Sequence, residues 1–215
     1  MTTSLPIFPL ALRDTALTVA SLAGGDRPVT FAAFRETCLG HIARLREELR
    51  AAGQSPDVVE DAIYAQCALL DEYALRHLEG AGRDEWEREP LQVKEFQSHD
   101  AGDALIDRIE RRLAAPQPVL PLLGVFHVVL GLGFQGRFAL NGATDRAALL
   151  RALDERLARA GFDQGNGPVI VTHGKGRADW HISPVAWVVL ALLGAGLVYL
   201  ALDRWLDAAI ARLAA

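Results

Sequence analysis

The chain has 215 residues, of which 51% are hydrophobic and 23% charged, with a formal net charge of −5. This length suits one domain with a substantial core, or one domain with an appendage. The composition excludes collagen-like, disulfide-scaffold and wholly disordered chains. A net acidic chain with only two lysines has no bulk attraction for nucleic acid. Cys38 and Cys67 form no Cys-x-x-Cys pair, so we expect two small buried residues, neither disulfide-bonded nor bound to metal.

Helical periodicity dominates the first 160 residues. A weaker helix is predicted near Leu10 to Leu22. Thr30 is a suitable N-cap for a helix that runs to about Ala52 and ends at Gly53. Ser55-Pro56 begins a third helix. One apolar face of that third helix follows from helical spacing: Val59, Ile63, Cys67, Leu70, Ala74 and Leu78.

Three further helices are predicted before residue 162. Asp100 caps the first, with Leu105, Ile106, Ile109 and Leu113 facing inward. The stretch Leu120–Leu132 is apolar almost all round and is expected to be a central buried helix. Thr144 begins the last, which ends at Gly161 and turns Leu149, Leu150, Leu153 and Leu157 inward. The predicted fold class is all-α, a helical bundle over residues 1–161.

The carboxyl-terminal quarter has a different character. Residues 162–181 are rich in glycine and are expected to form a flexible tether. Residues 182–202 carry no charge, and as a helix they would span roughly 30 Å, the thickness of a bilayer's hydrocarbon core. Val185, Trp187 and Leu202 are the expected anchor residues, with Trp187 at an interface. Since the amino terminus has no signal-peptide pattern, we expect the large domain in the cytoplasm and residues 203–215 as a short periplasmic tail.

Motifs that suggest chemistry are weak in this chain. Gly131 to Gly136 matches the letters Gly-x-Gly-x-x-Gly, but the long helix that holds pyrophosphate in that motif cannot follow, because Asn141-Gly142 interrupts it. We interpret these glycines as the end of a buried helix and a place where backbones approach closely. No histidine pair has metal-ligand spacing, and His127 is predicted to be a hydrogen-bonded core residue. We therefore expect no catalytic residue, no metal and no cofactor.

The adjacent acids Asp71 and Glu72 are the acidic pair that we keep as candidates for a structural or partner-binding role. On a helical wheel, Asp71 lies about 80° from the Ile63 direction, at the margin of the buried face, whereas Glu72 points nearly opposite it. Glu72 and Arg76 form an i, i+4 pair. A carboxylate at the edge of a buried face must find a donor within the bundle or on a partner, and spacing alone leaves both roles open.

Four motifs in order resemble those of one family. Cys67-Ala68-Leu69-Leu70-Asp71-Glu72 is similar to a Cys-Ala-x-x-Asp-Glu helix, and Trp86 stands five residues before Leu91. Gly102-Asp103 falls where Gly-Gly-Glu occurs, and Leu132-Gly133-Phe134-Gln135-Gly136-Arg137-Phe138 resembles Leu-Gly-Phe-Glu-Gly-Arg-Tyr. With the terminal anchor, these motifs resemble the DotU/TssL proteins, inner-membrane components of bacterial type VI secretion systems and of related type IVB systems.

The resemblance implies a cytoplasmic domain of two small helical bundles with a cleft, and no enzymatic activity. It places Asp71 and Glu72 in the cleft as partner-binding residues, with a structural role for the remaining signature residues: Cys67, Trp86, Gly102, Asp103, Gly133, Phe134, Gly136 and Arg137. It implies an IcmF/TssM-type inner-membrane partner, a TssK-type baseplate partner and self-association, as in a dimer. The resulting expectation is a scaffold that links the membrane complex of a secretion system to its baseplate.

Two other functions remain open from the residues alone. One is a membrane-anchored enzyme with a metal or nucleotide site built on Asp71, His99 and Asp100. The other is a tail-anchored adaptor outside secretion. Residues 57–110 hold 15 acids and 5 bases, a net charge of −10, which is compatible with docking onto basic surfaces as well as with ordinary solvated helix faces.

Overall fold

The computed structural model describes residues 9–26, 28, 30–97 and 101–160. The chain divides into two compact units, Met1–Thr172 and His173–Ala215, and all described residues lie in the first. The predicted tether beyond residue 160, the membrane helix and the tail lie outside the described residues, and so do His99 and the expected cap Asp100.

Every regular element of the described residues is helical, as predicted. The elements are α1 (Ala11–Ala23), α2 (Phe31–Ala51), α3 (Pro56–His77), α4 (Gly80–Arg88), α5 (Leu91–Phe96), α6 (Ala101–Ala114), α7 (Leu120–Gly131), a single 3-10 turn (Gly136–Ala139) and α8 (Ala143–Arg159).

Local capping explains where the first long helices begin. The Thr30 hydroxyl accepts a hydrogen bond from the Ala33 amide at 3.1 Å, which confirms the predicted N-cap of α2. Helix α3 begins at Pro56 as predicted, but the Ser55 hydroxyl donates to the Asp57 carboxylate instead of capping the backbone. The first amides of α1 are capped from a distance, because Glu48 of α2 accepts from them.

Helix α3 is the centre of the domain. It packs against α1 and α2, against α4 and α5, and against α6 and α7. Helices α1, α2, α4 and α5 pack on α3 as a first group. Helices α6, α7 and α8 with the 3-10 turn form a second group, which also contacts α3. Because α3 has neighbours on so many sides, most of its residues are buried, including polar ones such as Asp61, Gln66 and Asp71. The apolar stretch α7, expected at the centre, lies beside it.

The apolar stretch around α7 is packed inside the domain. In the described part of the chain, one stretch, Leu120–Ala139, is long and apolar enough to cross a membrane, and half of it is buried within the fold. Here α7 packs against α3 and α8. His127 bonds Asp154 of α8 with 2.6 Å between Nε2 and Oδ1, which confirms it as a hydrogen-bonded histidine. Cys38 and Cys67 are buried and free, as expected.

Helices α4 and α5 were not predicted. Trp86 is the only buried residue of α4, so that helix has no apolar periodicity to detect. Helix α5 has six residues, too few for a repeating face. Both are held by tertiary contacts to α3, which local sequence patterns do not encode.

Candidate functional site: the acidic pair of α3

Asp71 is a buried hydrogen-bond hub, with 3% of the residue exposed. Its Oδ1 accepts from the Trp86 indole Nε1 and from the Leu91 amide, both at 2.8 Å. Its Oδ2 accepts from the Gln92 amide at 2.9 Å. One carboxylate of α3 therefore holds both α4, through its only buried side chain, and the first two amides of α5, which have no partner within their own helix.

The ionisation of Asp71 reflects this burial. Loss of water raises the pKa of Asp71 to about 6, although the two α5 amides, the Trp86 indole and the charge of Arg35 act in the opposite direction. The pKa values of the two neighbouring cysteine thiols are raised as well. Burial raises the pKa of Cys38 to about 12 and that of Cys67 well above its usual range, and the negative charge of Asp71 adds to both. These thiols are consequently protonated and unreactive at neutral pH.

Glu72 binds the loop of the second helical group, which follows α7. Both its carboxylate oxygens accept from the Gln135 amide at 3.1 Å, and Oε2 accepts from the Gly136 amide at 2.8 Å. Arg76 completes the arrangement with the predicted i, i+4 ion pair at 2.5 Å. The wheel could not reveal these amide donors, because α3 is covered on several sides by helices distant in sequence. Glu72 is thus an internal anion that binds the loop after α7.

The glycines of the signature explain why that loop lies so close to α6. A Cβ on Gly102 would lie 3.1 Å from the Gly136 Cα, and a Cβ on Gly136 would lie 2.7 Å from the Gly102 carbonyl oxygen. Gly136 also has φ +51°, which L side chains adopt at a cost. Two glycines therefore permit backbone-to-backbone contact between α6 and the 3-10 turn, as the interpretation of close approach predicted.

Arg137 continues the same connection on the surface. Its guanidinium bonds Asp107 at 2.5 Å and Glu110 at 2.8 Å, both on α6. Phe134 is buried, and Gly133, with φ +106°, lies under the Tyr73 hydroxyl, which donates to the Leu132 carbonyl at 2.6 Å. The loop residues of the signature thus fix α7, α6 and α3 to one another.

The signature residues therefore form two connections that leave adjacent positions of α3. The first joins Asp71 to Trp86 and the start of α5, and the second joins Glu72 to the loop after α7 and through it to α6. Cys67 packs in the core beside the first, and Asp103 is exposed on α6. The partner-binding role of Asp71 and Glu72 stays a prediction, but both carboxylates already have internal donors.

The alternative enzymatic site receives no support from this geometry. The carboxylate of Asp71 already accepts three hydrogen bonds from within the domain, and the other two residues of that hypothesis lie outside the described residues. Among residues 9–26, 28, 30–97 and 101–160, no three His, Cys, Asp or Glu side chains are grouped to hold a metal ion. The loop amides that could hold a phosphate bind Glu72.

Most of the acidic block is paired within the domain, so it is not a free negative surface. Asp61 is 7% exposed and bonds Arg108 and Arg112 of α6 at 2.6 and 2.7 Å. Further pairs with arginines include those of Asp57, Glu60, Glu87, Glu89, Glu95, Asp107 and Glu110. Many acids of this block are thus engaged in ion pairs within the domain, and docking of the block onto a basic partner stays a prediction.

Several residues that build the two connections were missed from the sequence. Arg35 of α2 clamps Glu89, and Arg146 of α8 donates to the Phe134 and Leu130 carbonyls. Asp61 could have been found, because Asp57 and Asp61 on α3 repeat the i, i+4 spacing of Arg108 and Arg112 on α6. No local signal marks Arg35 or Arg146, because their acceptors are backbone carbonyls or lie far away in sequence.

The fold and this site define an all-α domain whose acidic signature residues join two groups of helices through a shared central helix. The family model described as "Type VI secretion system protein DotU" matches residues 9–205, and the chain belongs to this family. The chain is therefore a type VI secretion system component, and the resemblance of its motifs is confirmed. No curated protein matches the chain.

Solved structures agree with the family. The SciP/TssL structure from enteroaggregative Escherichia coli 042 is 31% identical, has a TM-score of 0.61, and covers 75% of this chain and 93% of its own. The cytoplasmic domain of TssL from Acinetobacter baumannii is 26% identical, with a TM-score of 0.64, and covers 69% and 95%. DotU from Francisella novicida, 19% identical with a TM-score of 0.58 and coverage of 67% and 94%, shows the shared fold.

Proposed function

We propose that this chain is a non-enzymatic, single-pass inner-membrane scaffold of a type VI secretion system. Its helical domain lies in the cytoplasm, residues 182–202 span the membrane, and a short tail reaches the periplasm. The observation that carries the proposal is the extent of the family match, which runs through residues 9–205 and so includes both the helical domain and the uncharged apolar segment.

The coverage of the solved structures supports the division into domain and anchor. Those chains align over 93–95% of their own length but over only 67–75% of this one. One of them is described as a cytoplasmic domain. The part without a counterpart is of the size expected for a tether, a membrane helix and a tail. Val185, Trp187 and Leu202 then anchor the chain in the bilayer.

Membrane attachment gives such a scaffold its advantage. A domain held at the bilayer meets partners at a high effective concentration, so weak contacts suffice for assembly. We propose an IcmF/TssM-type protein as the membrane partner, a TssK-type protein as the baseplate partner, and self-association of this chain. Because most acids of the domain are paired internally, shape and apolar contacts contribute more to these interfaces than bulk charge does.

Topology is tested by cysteine labelling in intact cells. Ala215→Cys should react with a membrane-impermeant maleimide, whereas Thr3→Cys should react only after the inner membrane is opened. The native cysteines are buried with pKa values raised, so they stay silent in both samples. Labelling of both variants, or of neither, before the membrane is opened would contradict the proposed orientation.

The scaffold role is tested by co-purification. Detergent-solubilised full-length chain should retain a large inner-membrane protein and a cytoplasmic baseplate protein, identified by mass spectrometry. As the matched control, a chain ending at residue 181 should lose the membrane partner. Recovery of neither partner from cells with an assembled secretion system would favour an adaptor outside secretion.

A further inference from the structure

Helix α4 is attached to the domain in an unusual way. Of its nine residues, Trp86 alone is buried, with no exposed surface. The helix begins at Gly80, which has φ +57° and open space where a Cβ would lie, and Pro90 follows shortly after its last residue. A short helix with one anchoring side chain between a glycine and a proline has few contacts to lose when it moves.

The anchor sits in a defined socket. The Trp86 ring contacts Phe34 at 5.3 Å and Phe31 edge-on at 6.0 Å between centroids, and the Arg35 guanidinium lies 5.6 Å from its ring centroid. At the bottom, its Nε1 donates to Asp71 at 2.8 Å. The socket is therefore made by α2 and α3, and α4 covers the Asp71 carboxylate.

The neighbouring helix α5 is held much more firmly. Leu91 and Gln92 are almost fully buried, Phe96 packs on the Tyr64 ring at 5.0 Å, and Glu95 pairs with Arg46 at 2.5 Å. These contacts do not involve α4. Helix α4 can therefore leave its socket while α5 remains in place and keeps its two amide bonds to Asp71.

Burial of the Asp71 carboxylate costs free energy, and this cost disfavours the position of α4 over it. Desolvation dominates the upward shift of its pKa, so water entering the socket would stabilise the carboxylate. The positive charge of Arg35 favours the ionised form of Asp71, although the hydrogen bonds of its guanidinium go to Glu89. The closed state thus balances aromatic packing and one indole hydrogen bond against a desolvated carboxylate.

We propose that α4 is a releasable cover: it opens from the socket of Phe31, Phe34, Arg35 and Asp71 while the remaining helices stay folded, and Trp86 sets the balance between closed and open states. Release exposes an aromatic surface with a carboxylate at its base.

Hydrogen exchange followed by mass spectrometry on the full-length chain in detergent micelles tests the cover. The amides of residues 84–88 are the informative ones, because their acceptors lie within α4. They should exchange at least tenfold faster than amides within α3 and α7. Protection of residues 84–88 equal to that of α3 and α7 would overturn the proposal, because α4 would then open only on global unfolding.

Variants sharpen the same measurement. Trp86→Phe removes the indole donor from a buried carboxylate, so exchange at residues 84–88 should rise by about 10- to 100-fold, with α7 unchanged. Glu85→Gln, on the exposed side of α4, is the matched control and should change nothing. An equal rise in α3, α4 and α7 on Trp86→Phe would assign Trp86 to global stability and refute a separate cover.

A disulfide lock provides an independent test. A Cβ on Gly82 would lie 4.0 Å from the Phe31 Cβ, which is within the range for a disulfide. In Phe31→Cys/Gly82→Cys, oxidation should slow exchange at residues 84–88 to the level of α3, and reduction should restore it. The reduced form of the same protein is the control, and equal exchange in the two forms would reject the cover.

Discussion

The bond between Glu72 and the loop after α7 makes a quantitative prediction. In Glu72→Ala, the amides of Gln135 and Gly136 lose their acceptor in a setting where the Glu72 side chain is 18% exposed. Leaving buried donors unpaired costs roughly 1–3 kcal/mol each, and hydrogen bonds to a charged group are at the upper end. Because this site is partly wet, we expect a loss of about 2–4 kcal/mol.

The matched control is Glu87→Ala on α4. Glu87 also forms an i, i+4 pair with an arginine, Arg83, but both side chains are about half exposed, at 49% and 50%. Such a pair contributes about 0.3–0.5 kcal/mol. The two substitutions remove the same side chain from a helix and differ mainly in the loop amides that Glu72 binds.

Thermal unfolding of the full-length chain in detergent, followed by circular dichroism, is the assay. At about 2–4 °C per kcal/mol for a chain of this size, Glu72→Ala should lower the Tm by roughly 4–16 °C and Glu87→Ala by about 1–2 °C. Equal, small shifts for the two variants would show that the loop amides are satisfied without Glu72. The connection between α3 and the loop would then carry no stability.

Three further predictions use the same melting assay. Gly136→Ala should lower the Tm more than Gly102→Ala, because its Cβ would lie 2.7 Å from a carbonyl oxygen and the residue also has a positive φ. Gly40→Ala, which has open space within α2, should leave the Tm unchanged or raise it. Equal changes in Tm for the three variants would refute the close contact between α6 and the 3-10 turn. In the folded domain the pKa of Asp71 is raised to about 6, so its contribution to stability is greatest below the unfolded pKa of about 3.9 and falls as the pH rises to 6. The Tm of the wild type should therefore fall relative to that of Asp71→Asn over this pH interval. Parallel curves of Tm against pH for the two proteins would contradict the prediction. Burial and the nearby charge of Arg44 lower the pKa of His41 in the folded domain. The contribution of His41 to folding stability is therefore present above its unfolded pKa of about 6.5 and is lost as the pH falls. The Tm should fall on acidification more in the wild type than in His41→Gln.

Elements with local signals were predictable from the sequence. The N-cap Thr30, the Pro56 start, and the apolar faces of α3, α6 and α8 depend on neighbours within a few residues, and the structure confirms them. The surroundings of α3 were not predictable in this way. Whether a helix has one buried side or several depends on the placement of distant helices, so the sequence did not indicate that Glu72 meets the loop after α7.

The site was predicted as a set of residues but not as a set of contacts. Asp71 and Glu72 were singled out, yet their donors are an indole, two amides of α5 and two amides of the loop, each 15 to 64 residues away. Amide donors carry no sequence signal, because every residue except proline has one. Since both carboxylates accept hydrogen bonds from within the domain, the structure predicts that removing them lowers its stability.

The adjacency of the two acids has a geometric reason. Successive residues of an α-helix are separated by roughly 100° around the axis, so Asp71 and Glu72 direct their carboxylates towards different neighbours of α3. One dipeptide thereby joins the α4–α5 side of the domain to the α6–α7 side. A substitution at either position that weakens partner binding can do so by loosening one side of the domain. Binding measurements on these variants therefore discriminate between contact and structure only when α4 exchange and thermal unfolding are recorded on the same samples.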